Sequence, residues 1–405
     1  MKFIHTSDLH IDQPFSGINT DNETVKQLVN QANETVLTRL VDQCINEAVD
    51  FLLIVGDTFH QAVSSIRIQA ILIEQFNRLN DQGITVVLSF GNHDYYSPTR
   101  YWFEWPENVL LFTEEAVETK ILPLKNGETV AISGFSYQHQ WITDYKALEF
   151  PERNTQATYH IGFYHGQVGK DGNYAPFTIS DLTPSYDYWA LGHIHKSDVI
   201  REHPATIYPG TPQGHQRKET QGKGVVSVTL KNGQVDYEWH QLAPIVWDNI
   251  MIDVETIKDR QELLKVVLDY LTTVPVDSDL LVINLALQCG KSDYLLDLQQ
   301  DQREITDYLQ QELLTLTDQK KYLTQVSLTE SFSDDLVMGF EADLIDDLSR
   351  KFYDMSEFKR IGSDILQNSV IASRLEWDEH DVTECIARST QLIKDKIRFK
   401  SEVVQ

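Results

Sequence analysis

Five short apolar runs mark the first half of the chain, and each leads into a loop carrying Asp, Asn or His. The runs are Phe3-Ile4, Phe51–Val55, Ile84–Leu88, Tyr159–Tyr164 and Tyr188–Leu191. They are β-branched and aromatic, and too short for helices, so they predict strands. The loops that follow are Asp8-Leu9-His10, Gly56-Asp57, Gly91-Asn92-His93-Asp94, His165-Gly166 and Gly192-His193-Ile194-His195. Between the first three runs the spacing changes to three and four residues. Val25, Leu28, Val29, Ala32, Val36, Leu37, Leu40, Val41 and Ile45 predict a helix over Asp21–Glu47. Ile68, Ile71, Leu72, Gln75, Phe76 and Leu79 predict a second over Ser64–Gln82, capped by Ser64 or Ser65 and stopped by Gly83. Strand and helix alternating in this way imply a parallel sheet with right-handed crossovers. The C-terminal rim of such a sheet is where ligands bind.

After Trp102 the pattern turns to short strands at Val109–Phe112, Val117–Leu122 and Thr129–Phe135, with a helix expected over Trp141–Leu148. Thr206–Tyr208, Val225–Leu230 and Val235–Gln241 form a closing antiparallel set, with Lys231-Asn232-Gly233 as the hairpin turn. The expected fold class is α/β: two sheets face to face, flanked by helices, over residues 1–243. Pro244 reads as a boundary, followed by a small α/β cap over 244–291 with a helix from Lys258 to Leu271. Residues 292–405 read as mainly helical, with leucine stripes at Leu295–Leu316, Leu344–Phe352 and Ile386–Ile397. Such stripes serve packing more often than partner docking, although docking is kept as an expectation here.

Composition narrows the class. A length of 405 residues calls for two or three domains, and 41% hydrophobic with 23% charged residues describes a globular chain. Cys44, Cys289 and Cys385 lie far apart, so no disulfide framework or thiolate zinc site is expected and a reducing compartment fits. No signal-like or membrane-length apolar segment occurs, so a cytoplasmic protein without a membrane is expected. The net charge of −27 argues against unaided binding to long DNA. Arg217, Lys218, Lys223 and Lys170 near the expected rim offer local positive charge.

The five loops supply oxygen and nitrogen donors and no thiolate, which suits Mn²⁺, Mg²⁺, Fe²⁺ or Zn²⁺. Two such ions about 3.5–4 Å apart can clamp a phosphate, generate hydroxide and stabilise the leaving oxygen. That arrangement needs a bridging carboxylate, for which Asp57 is the natural candidate. Asp8 and His10 share one turn and reach one ion; Asn92 offers a neutral carbonyl oxygen; His165 and His193 serve the second ion, and His195 points back to the first. His93 is expected to face the phosphate, steadying charge or protonating the leaving oxygen, with Asp94 holding its ring. His60 reads as packing or support, and His160 and His139 as structural. His215 and Arg217 are divided evenly between phosphate contact and solvated turn.

Taken in order, Asp8-x-His10, Gly56-Asp57, Gly91-Asn92-His93-Asp94, His165 and Gly192-His193-x-His195 resemble the five motifs of calcineurin-like metallophosphoesterases. Ser7–His10, Gly56–His60 and Tyr208-Pro209-Gly210-Thr211-Pro212 are similar to SbcD-type DNA repair nucleases, and the opening Phe3–Phe15 most resembles the YhaO-like branch. The resemblance runs from Met1 to about Gln241. It implies a two-sheet sandwich with one Mn²⁺ on Asp8, His10, Asp57 and His195, a second on Asp57, Asn92, His165 and His193, and His93 as the catalytic histidine. It also implies DNA as substrate, an SbcC-like coiled-coil ATPase as partner, and a possible homodimer. The expected function is therefore a Mn²⁺-dependent DNA exonuclease or endonuclease in repair.

Two rivals stand beside it. A phosphodiesterase for cyclic nucleotides or phosphoproteins would use the same core. Serine/threonine phosphatases, however, carry Gly-Asn-His-Glu and an arginine after Gly-Asp, where this chain has Asp94 and Thr58-Phe59-His60. A DNA-end or ATPase-binding scaffold would tend to lose ligands, and here all seven are present.

Overall fold

The computed structural model describes residues 1–220, 223–257, 259–289 and 301–330, together with Leu298 and Ser389. The leucine stripes expected at Leu344–Phe352 and Ile386–Ile397 lie outside the described residues. Met1–Ser331 folds as one compact unit.

Its centre is β1 (Lys2–Thr6), β2 (Phe51–Val55), β3 (Thr85–Ser89) and β4 (Val109–Leu111), all parallel, with α1 (Glu23–Asn46) and α2 (Ile66–Asp81) as crossovers. Ser65 is the cap of α2: its hydroxyl accepts from the Ile68 amide at 3.3 Å. The remaining strands of Met1–His240 are β5 (Glu118–Pro123), β6 (Thr129–Gly134), β7 (Tyr159–His165), β8 (Tyr188–Gly192), β9 (Asp198–Arg201), β10 (Ala205–Tyr208), β11 (Val225–Lys231) and β12 (Gln234–His240). They complete two six-stranded sheets, ordered β12-β11-β1-β2-β3-β4 and β5-β6-β7-β8-β10-β9. At the β11–β12 hairpin Asn232 and Gly233 take φ of 53° and 76°, the left-handed pair that a tight hairpin turn requires.

Strand β2 explains why the first sheet shows no polar alternation. Phe51, Leu53 and Val55 point between the sheets, where they meet Ile161, Phe163 and Ala190; Leu52 and Ile54 pack under Leu37, Leu40, Leu72 and Phe76 of the helices. A strand covered on both faces reads as a continuous apolar run. The expected two-sheet α/β fold is the one observed. The helix expected over Trp141–Leu148 is not: only a 3-10 turn at Lys146–Glu149 forms, because the Ile142 amide donates to the Asn173 carbonyl and the Ile142 carbonyl accepts from the Ala175 amide, tying this stretch to a loop after β7.

Beyond Ala243, β13 (Ile245–Asp253), α3 (Arg260–Thr273) and β14 (Leu280–Cys289) continue into α4 (Gln302–Leu316) and β15 (Lys321–Glu330). The three strands make a parallel sheet ordered β13-β14-β15. The small sheet thus reaches beyond the 244–291 expected of the cap, with the strand Lys321–Glu330 following the helix Gln302–Leu316. One face of this sheet packs on α3 and α4, and the other rests Trp247, Val282 and Tyr322 against Val25 and Ala32 of α1. Among the described residues no helix is long and apolar enough to cross a membrane.

One buried histidine makes the sandwich sensitive to acid. His5 on β1 is fully buried between the sheets, beside the Tyr188 hydroxyl at 3.0 Å and the Leu191 carbonyl at 3.1 Å. Burial drives its pKa from 6.5 to about 3, against the pull of the Leu191 carbonyl. Below pH ~6.5 the unfolded chain takes a proton that the folded chain refuses, so this stability is complete above that pH and is lost on acidification towards pH ~3. The contribution is ~1.4 kcal/mol per pH unit. Urea unfolding of the wild type and of His5→Gln at pH 7, 6 and 5 checks it. The variant is expected to show the shallower fall by about that amount, and equal slopes would refute the assignment.

Candidate metal centre

All five loops open at the same rim of the sandwich. Asp8 and His10 follow β1, Asp57 follows β2, Asn92 and His93 follow β3, His165 ends β7, and His193 and His195 follow β8. The backbone bends sharply to present them: Asp8, His10, Asp57 and His193 take φ of 52°, 43°, 53° and 98°. Non-glycine residues rarely adopt this region, and such strain gathers at functional sites. Gly91 permits the closest approach, since a Cβ there would lie 2.2 Å from Asp57 Oδ1 and 2.7 Å from His165 Nε2.

Among the described residues the side chains form three donor groups, His10, His60 and His93 being one and the two trios that contain a carboxylate the others. In Asp8, His10 and His195, and again in Asp57, His165 and His193, one donor atom per residue lies within 4.8 Å of the others. Asp57 stands between them, with Oδ2 3.4 Å from His165 Nε2 and 4.0 Å from His10 Nε2. Asn92 Oδ1 lies 3.1 Å from both His165 Nε2 and His193 Nδ1. All seven expected ligands are thus brought together.

Hydrogen bonding on the far side of the rings shows what this arrangement suits. His165 Nδ1 faces the Val55 carbonyl at 2.9 Å, which can only accept, so Nδ1 carries the proton. A neutral His165 therefore turns a lone pair towards Asp57 and Asn92. His195 Nδ1 donates to Glu219 at 2.7 Å, leaving Nε2 aimed at Asp8 Oδ1, 3.8 Å away, and at His10 Nε2, 3.2 Å away. Asp8 Oδ1 is buried without a hydrogen-bond partner among the described residues. Imidazole nitrogens and carboxylate oxygens converging in this way fit divalent cations, which would take the place of the protons between them.

The electrostatics agree. Burial alone would lower both His165 and His195. Asp57 outweighs it at His165, and Glu219 with Asp8 at His195, so both are held up at about 9. Burial and His165 push His193 down to about 3, and burial and His195 hold His10 well below its usual range. Against its own burial, Asp57 stays well below the carboxylate range because of His165. Without an ion, the carboxylates hold protons on His165 and His195; a cation taken up between them takes the place of those protons, so ion uptake releases protons.

His93 sits above the trios, half-buried, with its ring centroid 5.0 Å from that of His10. Its amide donates to Asp57 Oδ1 at 2.9 Å, and its Nδ1 donates to the His60 carbonyl at 3.0 Å. This corrects the role expected of Asp94, which does not hold the His93 ring. The Asp94 carboxylate instead accepts from the amides of Gly91, Asp57, Thr58 and Phe59 at 2.8–3.3 Å, fixing the Asp57 loop. Burial and the Asp57 charge lift it to about 7. The ring of His60 stacks on His93 at 4.9 Å, and the His60 amide is held by Asp12.

His215 is no phosphate contact: it is buried, with Nε2 2.8 Å from Asn33 Oδ1. His160 is buried beside the Ser133 hydroxyl at 2.7 Å, and exposed His139 pairs with Glu115. Sequence reasoning missed Glu219 and assigned no role to Asp12. Asp12 lies in the Asp8–Asp12 stretch and was open to recognition there.

The calcineurin-like phosphoesterase family matches residues 1–197. The metallophosphoesterase YhaO of Bacillus subtilis (strain 168) is 38% identical over 303 residues, covering 73% of this chain and 74% of its own. The DNA double-strand break repair protein Mre11 of Methanopyrus kandleri is 22% identical over 351 residues, covering 76% and 72%. One component of the nuclease SbcCD of Escherichia coli (strain K12) is 22% identical over 391 residues, covering 82% and 92%. With its motifs in order on the expected rim and a relative this similar along most of its length, the chain belongs to the calcineurin-like metallophosphoesterase family and is a metal-dependent hydrolase of phosphate esters.

Proposed function

We propose that the chain is a Mn²⁺-dependent phosphodiesterase acting on DNA ends, working with an SbcC-like coiled-coil ATPase. The observation that carries the phosphodiester chemistry is the pair of donor trios beside His93, with Asp57 in one of them and 4.0 Å from His10 of the other. Similarity to Mre11 and to the SbcCD nuclease component supports DNA as the substrate and the ATPase as the partner.

Asp8, His10, Asp57 and His195 would hold one ion, and Asp57, Asn92, His165 and His193 the other. Bound together, such ions supply Lewis acidity and a nucleophile at neutral pH. The chain's own residues do the rest. Asp94 and Gly91 fix the Asp57 loop so that its carboxylate faces both trios. The His60 carbonyl holds His93 Nδ1, which leaves Nε2 to carry a proton to the oxygen that departs or to steady charge on the phosphate. Exposed Lys170 and Lys196, in the loops after His165 and His195, place positive charge beside the centre. The net charge of −27 over the whole chain makes the partner the main DNA-holding surface.

The test is nucleotide release from a linear duplex and a short single strand, with Mn²⁺, Mg²⁺ or EDTA, beside a cyclic-nucleotide control. Cleavage of DNA that requires Mn²⁺ and disappears in EDTA is expected. Turnover of the cyclic nucleotide alone would overturn the DNA reading while leaving the phosphodiesterase in place. No turnover of any substrate with two ions bound, even after the ATPase is added, would favour a scaffold.

A further inference from the structure

The trios differ in what stands behind their histidines. His165 leans on a neutral backbone carbonyl, and His10 Nδ1 is buried with no hydrogen-bond partner among the described residues. His195 has a carboxylate behind it. Glu219 lies outside all five motifs, in the turn that follows the Gly214-His215 stretch, and its side chain is only 6% exposed.

That carboxylate is built into place. Glu219 Oε1 accepts from His195 Nδ1 at 2.7 Å and from Gln216 Nε2 at 3.3 Å. Oε2 accepts from the His215 amide at 2.6 Å, and the Glu219 amide closes the turn on the Gln216 carbonyl at 3.0 Å. Gly214 lets the turn pack this closely, since a Cβ there would lie 2.5 Å from the Glu219 carbonyl oxygen. The same loop is clamped to the small third sheet, where Trp247 Nε1 donates to the Gly214 carbonyl at 3.0 Å.

We infer that Glu219 is a positioning residue that fixes the tautomer and direction of His195, and so sets the affinity of one ion position of the two. The inference rests on the two-ion reading above. A carboxylate behind a ligating imidazole holds the Nδ1 proton in place, turns Nε2 towards the ion and makes it a stronger donor. Among the described residues only the position formed by Asp8, His10 and His195 has such a brace. Removing it therefore weakens one position and spares the other.

The test titrates metal-free full-length chain with Mn²⁺ by calorimetry, and follows the electron paramagnetic resonance signal that distinguishes a coupled manganese pair from an isolated ion. Wild type is expected to take up two ions and show the coupled signal. Glu219→Ala is expected to keep one site near wild-type affinity, to lose about 10- to 100-fold at the other, and to show the isolated-ion signal at intermediate loading. Glu219→Gln retains an acceptor oxygen for His195 Nδ1, so it is expected to fall between the two. It also keeps the buried volume, should the alanine variant fold poorly. Two ions bound by both variants with affinities within about twofold of wild type, and an unchanged coupled signal, would overturn the role of Glu219. A wild type that takes up a single ion would overturn the two-ion reading, and Glu219 falls with it if neither variant changes that ion's affinity.

Discussion

Asp57→Asn is expected to remove turnover to background and to strip the centre of paired ions. The carboxylate is fully buried, and its Oδ2 faces His165 Nε2 at 3.4 Å and His10 Nε2 at 4.0 Å, one nitrogen from each trio. Asparagine matches it in size and can still accept the His93 amide, which Asp57 Oδ1 takes at 2.9 Å, so the loop keeps its scaffold. The charge does not survive. An amide offers one weak oxygen donor in place of two anionic ones, and its NH₂ group would repel any cation on its side. Outer-shell partners of metal ligands cost about 10- to 100-fold in metal affinity when removed. A group that touches both positions is expected to exceed that at each. Calorimetric titration with Mn²⁺ and turnover of an activated phosphodiester check the two halves separately. Two ions bound with unchanged affinity would refute the bridging role of Asp57.

Much of this centre was legible in sequence because its ligands sit one to three residues beyond short apolar strands. Strands β1, β2 and β3 are neighbours in one sheet and β7 and β8 in the other, and the two sheets open at the same edge, so five local signals converge on one rim. Asp57 and His165 are far apart in the chain, yet the stacking of the β2 sheet on the β7 sheet brings them within 3.4 Å. Glu219 was not legible for the opposite reason. It lies in the polar run Gln216–Thr220, which has the composition of a solvated turn, and only the close approach at Gly214 buries it. Asp94 was misread because adjacency to His93 suggested a partner; the turn sends its carboxylate the other way, to the amides of the Asp57 loop. Strand β15 was hidden because Tyr322, Leu323 and Val326 are buried without regular alternation, the sheet being covered on both faces. A leucine stripe just before it carried the helical reading too far.

His93→Ala is expected to leave ion binding within a few-fold of wild type while lowering turnover of DNA by about 10²- to 10⁴-fold, the usual worth of a positioned proton donor. The geometry separates the two effects. His93 groups with His10 and His60 but belongs to neither of the trios built on Asp8 and Asp57; its ring is held by the His60 carbonyl at Nδ1 and stacks on His60, so its Nε2 is the working end. Loss of ion binding in parallel with turnover would make His93 a ligand in place of a proton donor. The leaving group then decides what Nε2 does. A nitrophenolate departs without needing a proton, whereas a sugar alkoxide needs one. If His93 protonates the departing oxygen, alanine costs far more with DNA than with a nitrophenyl diester. If it steadies charge on the phosphate, both substrates lose alike, because the oxygens it faces are the same in each.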